Sequence, residues 1–341
     1  MKKGQITIHD IARHLSLDSS TISRALNDSP RVTAKTKEKV RKVASELGYR
    51  PNLMATGLRT QRSKTIGVIV PWISRHFFSS AISGIEQVVY KEGYHVIICQ
   101  SHDNYKREVS NTFALFDNRV EGVLASVAMD TTKFDHLTQI KDENIPIVFF
   151  DRYPPGVSAC RVVIDDFKAA YQVTEHLISQ GHRRIAHFSG PRNLNIYRDR
   201  FDGYKKALKD HNLVMDPTMV FESRLLPDDG IEGIKYLLSL PDLPDALFCS
   251  NDLTALSAMQ YLQKDGSFSV PDDMAIAGFS NSPSTSIIKP GLTTVDQSGE
   301  EIGKAAAKRL IAEIRGETDR GMNEVITIDT QLIVRGSSCR K

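Results

Sequence analysis

Between residues 6 and 48 the apolar positions fall into three short blocks at helical spacing. In ITIHDIARHLSL, Ile8, Ile11, Ala12 and Leu15 recur every three or four residues, and the Thr7 hydroxyl stands where it can cap the first turn. The spacing predicts a helix that ends near Leu15, then a turn through S-L-D with Leu17 pointing inward. A second helix follows, with Asp18 as its cap and Ile22, Ala25 and Leu26 on its inner side. A third runs from Thr33, an N-cap, through Val40, Val43, Ala44 and Leu47 to Gly48, a stop residue. From residue 65 the pattern changes. Short apolar runs (TIGVIVP, YHVIICQ, VEGVLAS, IPIVFFD, RIAHFSGP, DALFCSND, MAIAGFS) alternate with stretches of helical length such as 78–92 and 166–180. That alternation predicts parallel sheets flanked by helices, with enough repeats for two lobes. Ligands of such sheets bind beyond the carboxyl ends of the strands, so a cleft between the lobes is the expected site.

The small unit at the head has the outline of a helix-turn-helix, in which the second helix enters the major groove of DNA. On its outer face remain Ser19, Ser20, Thr21, Ser23, Arg24 and Asn27, donors and acceptors with no apolar purpose. Ser19 and Ser20 fit base reading and ordinary helix-start chemistry equally. Arg24 suits a bidentate contact to guanine, and a phosphate contact as well. Charge sharpens this picture. Residues 1–65 hold 14 basic and 5 acidic side chains, net +9, whereas the remaining 276 carry 30 and 36, net −6; the overall +3 conceals the asymmetry. A basic head implies a polyanionic partner.

Other classes fit poorly. The four cysteines, Cys99, Cys160, Cys249 and Cys339, are widely spaced and form no C-x-x-C pair, as expected for a reducing cytoplasm. No apolar export core follows Lys2 and Lys3, and the apolar runs are too short to span a bilayer, so no membrane partner is expected. Neither G-x-S-x-G nor a P-loop occurs, and no catalytic residue is assigned. His182 and His187 stand apart and suit surface or turn packing. No ligand cluster for a metal is present, and no cofactor is called for. An exported ligand receptor would lack the basic head. An enzyme carrying such a head would show turnover.

The chain resembles transcription regulators of the lactose-repressor and galactose-repressor family. The resemblance rests on D-I-A in the first helix, S-S-T-I-S-R-A-L-N in the second, ELGYRPN and TIGVIVP, and continues through HLISQGHRRIAHFSGP, R-F-D-G-Y, FCSND, VPDDMAIAGFSN and LTTVDQ. Ser16 departs from it, because the family usually has Gly in that turn. It implies an all-α helix-turn-helix head (1–50), a hinge (51–64) and an α/β body of the periplasmic-binding-protein type (65–341). Lobe 1 would take about 65–165 and 294–326, and lobe 2 about 166–293 and 327–341. The resemblance also implies that the hinge becomes helical on operator DNA and inserts Leu58 into the minor groove, with Ala55 beside it and Asn52 near the backbone. By itself the stretch 52–59 is too short for a stable helix, and Gly57 weakens it, so a plain linker is the alternative.

For the cleft, the resemblance assigns Arg200 to the ligand; pairing with a carboxylate is its other reading. Asn251 and Asp252 lie at a strand end and suit sugar hydroxyls or helix capping. Gln297 follows a crossing strand, Asp165 ends CRVVID near another crossing, and Phe77, with Phe78 and Trp72, offers flat apolar surface or lobe core. Ser280 stands where many relatives have an acidic residue, so the ligand of no particular relative transfers. The expected partners are a roughly palindromic double-stranded operator, a small effector of carbohydrate type and, since the sequence shows no leucine-repeat tail after QLIVRGSSCRK, a second copy in a homodimer.

Overall fold

The computed structural model describes residues 6–49, 63–264, 268–318 and 323–339. The chain divides into two compact units, Met1–Ser63 and Lys64–Lys341.

The first unit contains α1 (Ile8–Leu15), α2 (Ser19–Leu26) and α3 (Ala34–Glu46). Ile11, Ile22, Ala25 and Val40 are fully buried at its centre, with Ala12, Val32, Val43 and Ala44 around them. The first turn of α1 is fastened by Asp10, whose carboxylate accepts from the Thr7 N–H (2.9 Å) and hydroxyl (2.7 Å). Ser16 adopts the left-handed conformation (φ 52°), which explains why glycine suits this turn. Asp18 precedes α2, but its side chain accepts no capping bond, contrary to expectation. Thr33 does cap α3, accepting from the Thr36 N–H at 3.4 Å. At the other end Gly48 (φ 68°) lets the Tyr49 N–H return to the Ala44 carbonyl at 2.8 Å.

In the second unit a six-stranded, all-parallel sheet contains β1 (Thr65–Val70), β2 (His95–Gln100), β3 (Gly122–Ala125), β4 (Ile147–Phe150), β5 (Cys160–Ile164) and β11 (Val325–Ile328), in the order β11-β5-β4-β3-β1-β2. A four-stranded parallel sheet holds β6 (Ile185–Ser189), β7 (Val220–Glu222), β8 (Ala246–Cys249) and β9 (Ala275–Ala277), ordered β7-β6-β8-β9. Central strands such as β3, β4 and β8 are buried along their whole length, as helices on both faces require. The intervening helices are α4 (His76–Lys91), α5 (Tyr105–Asp117), α6 (Asp135–Asp142), α7 (Asp166–Ser179), α8 (Asn195–Asp210), α9 (Pro227–Leu238), α10 (Asp252–Gln263), α11 (Ser284–Ile287) and α12 (Gly299–Arg315).

The return crossing differs from the expected lobe limits. β10 (Thr294–Asp296) pairs antiparallel with β12 (Gln331–Ile333) in a separate two-stranded ladder, outside the larger sheets. Backbone bonds from Gly278 to Thr293 (2.8 Å) and from Ser280 to Val295 (2.9 Å) tie this crossing to the smaller sheet. β11 stays in the larger sheet through Ile328, so a limit at 326 would cut a hydrogen-bonded strand. After the crossing, α12 packs on α4 at van der Waals contact of their backbones: a Cβ on Gly303 would stand 2.0 Å from the Ala81 carbonyl oxygen, and one on Gly84 2.1 Å from that of Glu300. Only glycine permits that approach.

Candidate functional site

On α2, the inward turn of Ile22 and Ala25 leaves the polar residues on the opposite face. Ser20, Arg24 and Asn27 are exposed there, and Ser19, Thr21 and Ser23 are half-buried. Among the described residues none forms a hydrogen bond or ion pair with the Arg24 guanidinium. Asn27 is partly committed, its amide donating to the Ser23 carbonyl at 2.7 Å. Thr7 gives its hydroxyl proton to Asp10. Asn52, Ala55 and Leu58 lie outside the described residues.

In the second unit a cavity of about 630 Å³ opens where strand ends of the two parallel sheets face each other. Its walls come from the start of α4, the loop after β4, the first turns of α8, and the segments after β8, β9 and β10. These are carboxyl ends of strands, where a doubly wound sheet leaves room for a ligand. Phe77, Arg200, Asn251, Asp252, Ser280 and Gln297 all line it, so the structure brings six of the seven expected residues together.

The seventh, Asp165, is displaced from that role. It is exposed, does not line the cavity, and its carboxylate accepts from the Lys168 N–H (2.8 Å) as the cap of α7. The neighbouring Asp166 points inward instead: its carboxylate accepts from Arg200 Nε at 2.7 Å, and Arg200 also donates to the Ser250 carbonyl at 2.7 Å. Arg200 is 3% exposed and lies over the Phe279 ring, 3.8 Å from its centroid. The carboxylate pairing of this arginine is therefore present, and its side chain also stands on the cavity wall. Burial pushes the Asp166 carboxyl up to about 7, although Arg200 pulls the other way.

Asn251, not Asp252, caps α10: its Oδ1 accepts from the Thr254 N–H (2.8 Å) while its amide donates to the Leu225 carbonyl (3.0 Å). Asp252 instead holds the far wall, accepting from the Thr294 hydroxyl (2.5 Å) and the Ser282 N–H (2.7 Å). Ser280, at φ 128°, donates its hydroxyl to Gln297 Oε1 at 2.7 Å. Phe77 belongs to core and wall alike, being 7% exposed and edge-on to Phe78 with centroids 5.1 Å apart.

Sequence reasoning missed the pair that joins the lobes. Asp151 and Arg152 follow β4 directly, and both line the cavity. Arg152 donates to Asp103 Oδ1 (2.6 Å) and to the Tyr197 hydroxyl on α8 (3.2 Å). From α8, the Asn195 amide donates to the Asp151 carbonyl (3.0 Å) and its oxygen accepts from the Tyr153 N–H (3.3 Å). The signal was present in FFDRY, a charged pair directly after an apolar strand. His182 and His187 are both fully buried, not surface groups. Burial pulls the His187 imidazole down to about 3; the ring stays neutral and donates from Nδ1 to the Phe248 carbonyl at 3.0 Å. Among the described residues there is no cluster with the makings of a metal site, and no helix is long and apolar enough to cross a membrane.

Comparison with known proteins agrees with both units. Residues 63–335 match a family model described as periplasmic binding proteins and sugar binding domain of LacI family, and residues 7–52 match bacterial regulatory proteins, lacI family. The HTH-type transcriptional repressor PurR of Haemophilus influenzae (strain PittEE) is 32% identical, covering 97% of this chain and 98% of the relative. A structure of the transcriptional regulator CelR in complex with cellobiose superposes with a TM-score of 0.74 at 27% identity, covering 98% and 100% of the two chains. The Lac repressor dimer bound to operator and the anti-inducer ONPF gives a TM-score of 0.87 at 24% identity, covering 98% and 100%, a likeness of fold.

Proposed function

This chain belongs to the LacI family of bacterial regulatory proteins, a family of DNA-binding transcriptional regulators with an effector-binding domain, and we propose that it is a cytoplasmic repressor whose hold on a two-fold operator is set by a small carbohydrate-class ligand. The observation that carries this reading is the 630 Å³ cavity at the strand ends, in the same chain as a basic helical head with an unengaged Arg24. A homodimer would present two heads to a roughly palindromic site. Ser19, Ser20, Thr21, Ser23, Arg24 and Asn27 would face the groove, Thr7 the backbone, and Leu58, with Ala55 and Asn52, the kinked centre of the site.

Carbohydrate chemistry fits a wall that alternates the ring of Phe77 with Asp151, Asn251 and the amide of Gln297. The cellobiose held by CelR supports the same class. Ser280 gives its proton to Gln297 and brings no carboxylate, so a ligand whose recognition needs an acid at that position is disfavoured. Ligand binding across Arg152–Tyr197 and Asn195–Asp151 would shift the lobes and thereby the hinges. A coupling of about 1–3 kcal/mol changes operator affinity by about 5-fold to 150-fold.

The test begins with selection of oligonucleotides on the purified protein, followed by a thermal-shift screen of sugars and then operator titrations with each hit. A selected sequence whose affinity changes with the hit, and no longer does so in Arg200→Ala, is the expected result. Binding that is salt-sensitive but blind to sequence, or unmoved by any ligand, would remove the proposal. For the wedge, Leu58→Ala is expected to weaken operator binding and leave the site unkinked.

A further inference from the structure

Three arginines, Arg75, Arg152 and Arg200, and two acids, Asp151 and Asp252, line the cavity, with Asp103 and Asp166 behind them as arginine partners. Asp103 accepts from Arg152, from Trp72 Nε1 (2.7 Å) and from the Met129 N–H (3.0 Å); Asp166 is held by Arg200, and Asp252 by Thr294 and Ser282. Arg75 has no hydrogen-bond or ion-pair partner among the described residues, although its charge acts at longer range on Asp103. It is half-buried, lines the cavity immediately before α4, and among the described residues no carboxylate comes within ion-pair reach of its guanidinium. Arg152, only 2% exposed, also lines the cavity, and its Nε has no hydrogen-bond acceptor; the nearest carboxylate oxygen, on Asp151, is 3.8 Å away. Its guanidinium lies 5.9 Å from the centroid of Phe78, in the first turn of α4. That turn starts without a side-chain cap, and Ser74, Arg75 and His76 at its mouth line the same space. A buried donor without an acceptor, beside a guanidinium that makes no hydrogen bond or ion pair and an uncapped helix start, is the arrangement that accepts a negatively charged oxygen group.

We propose that the ligand of this cavity is a carbohydrate-sized molecule bearing an oxyanion, carboxylate or phosphate, which seats against Arg75 and Arg152 at the start of α4. The inference rests on the carbohydrate reading above and narrows it. Asp151, whose carboxylate has only a 3.5 Å contact with the Ser126 hydroxyl besides Arg152, is left to receive a sugar hydroxyl.

The test uses the full chain and matched probes at constant ionic strength: glucose, galactose and cellobiose, the uronates and 6-phosphates of the two hexoses, and inorganic phosphate alone. Thermal shift and calorimetric titration are expected to favour a charged probe over its neutral counterpart. The choice between uronate and phosphate ester separates the two oxyanions. Arg75→Gln is expected to weaken that probe on the order of 10-fold to 100-fold, and Arg75→Lys to restore part of the loss. Since Arg75 makes no hydrogen bond or ion pair in the fold and acts on Asp103 only at longer range, both variants should melt close to the wild type when no probe is present. Equal binding of neutral and charged probes, charged probes indifferent to Arg75→Gln, or no response to any charged probe each overturns the inference. A neutral sugar bound through Arg200 with the acids silent keeps the carbohydrate reading and removes the oxyanion alone. Silence from all probes counts against both.

Discussion

Arg24 and Arg200 are the same side chain placed in opposite surroundings. Arg24 projects from an exposed helix face and engages no described residue, while Arg200 is enclosed, bonded to Asp166 and Ser250 and stacked on Phe279. The difference follows from what each region buries. The head has a core of eight small or medium apolar residues and lies at the small end of what folds at all, so its polar residues stay outside. The body has two extensive cores and can enclose charges, provided that each finds a partner. In the head, the polar groups on the outer face of α2 therefore stay largely exposed. In the body such groups also hold the fold, and a ligand must fit among bonds already made.

Removing Asp166 would break this contrast most severely. Asp166→Ala leaves the Arg200 charge buried without its carboxylate and is expected to destabilise the body by about 3–5 kcal/mol in urea denaturation. A loss below about 1 kcal/mol would mean that Arg200 relaxes to solvent and behaves like Arg24. Arg24→Ala comes next in size, and its effect belongs to DNA alone. Discrimination between operator variants should fall by about 1–3 kcal/mol, with unfolding unchanged to within about 0.5 kcal/mol. A matching loss of stability would show that the head relies on Arg24 structurally.

Relief of the turn is smaller. Ser16→Gly places the residue suited to φ 52° in α1's exit and should stabilise the head by about 1 kcal/mol, read as slower amide exchange at Ile11 in the full chain. Unchanged exchange there would place the limiting contacts elsewhere in the head.

The dependence on pH sharpens the comparison further. The Asp166 carboxyl titrates near 7 in the fold, above its unfolded value of 3.8, so the folded chain binds the extra proton between them. Its contribution to stability is thus fully present below about pH 4 and is lost as pH rises through about 7. His187 works oppositely: held neutral down to about 3, it costs stability as pH falls from 6.5 toward 3. Asp166→Asn, which cannot ionise, should remove the loss of stability that accompanies a rise from about pH 4 to about 7, and His187→Phe the opposing loss that accompanies a fall from 6.5 toward 3. A profile identical to that of the wild type in either variant would detach that residue from the trend.

Much of this architecture was readable in the order of residues. Helical spacing gave α1, α2 and α3 because a 3.6-residue repeat with one buried face allows few other conformations, and the continuous apolar runs matched strands covered on both sides. Asn251, Asp252 and Gln297 were recognisable because they follow strands, positions where a polar residue has little structural reason to occur unless it caps or binds, whereas Arg200 and Ser280 were placed by the family resemblance and Phe77 by its flat apolar ring. The failures have a common form. Asp165 and Asp166 are adjacent and chemically identical, and a single step along the chain decides which one faces Arg200 and which one caps α7. Asn251 and Asp252, both suited to capping or to sugar hydroxyls, are separated in the same way, Asn251 capping α10 and Asp252 accepting from the Ser282 N–H. Asp151–Arg152 was overlooked because its partners Asp103, Tyr197 and Asn195 are distant in sequence.

The sequence alone determined the local periods, the Thr33 cap of α3, the basic head against the acidic body, and the presence of polar groups at strand ends. Tertiary structure alone decided which of those groups meet, which carboxylates are occupied by arginines, and which guanidinium is left open. Spacing fixes direction along one helix or strand, whereas a pairing energy depends on distances between elements that the chain brings together only after tens of residues.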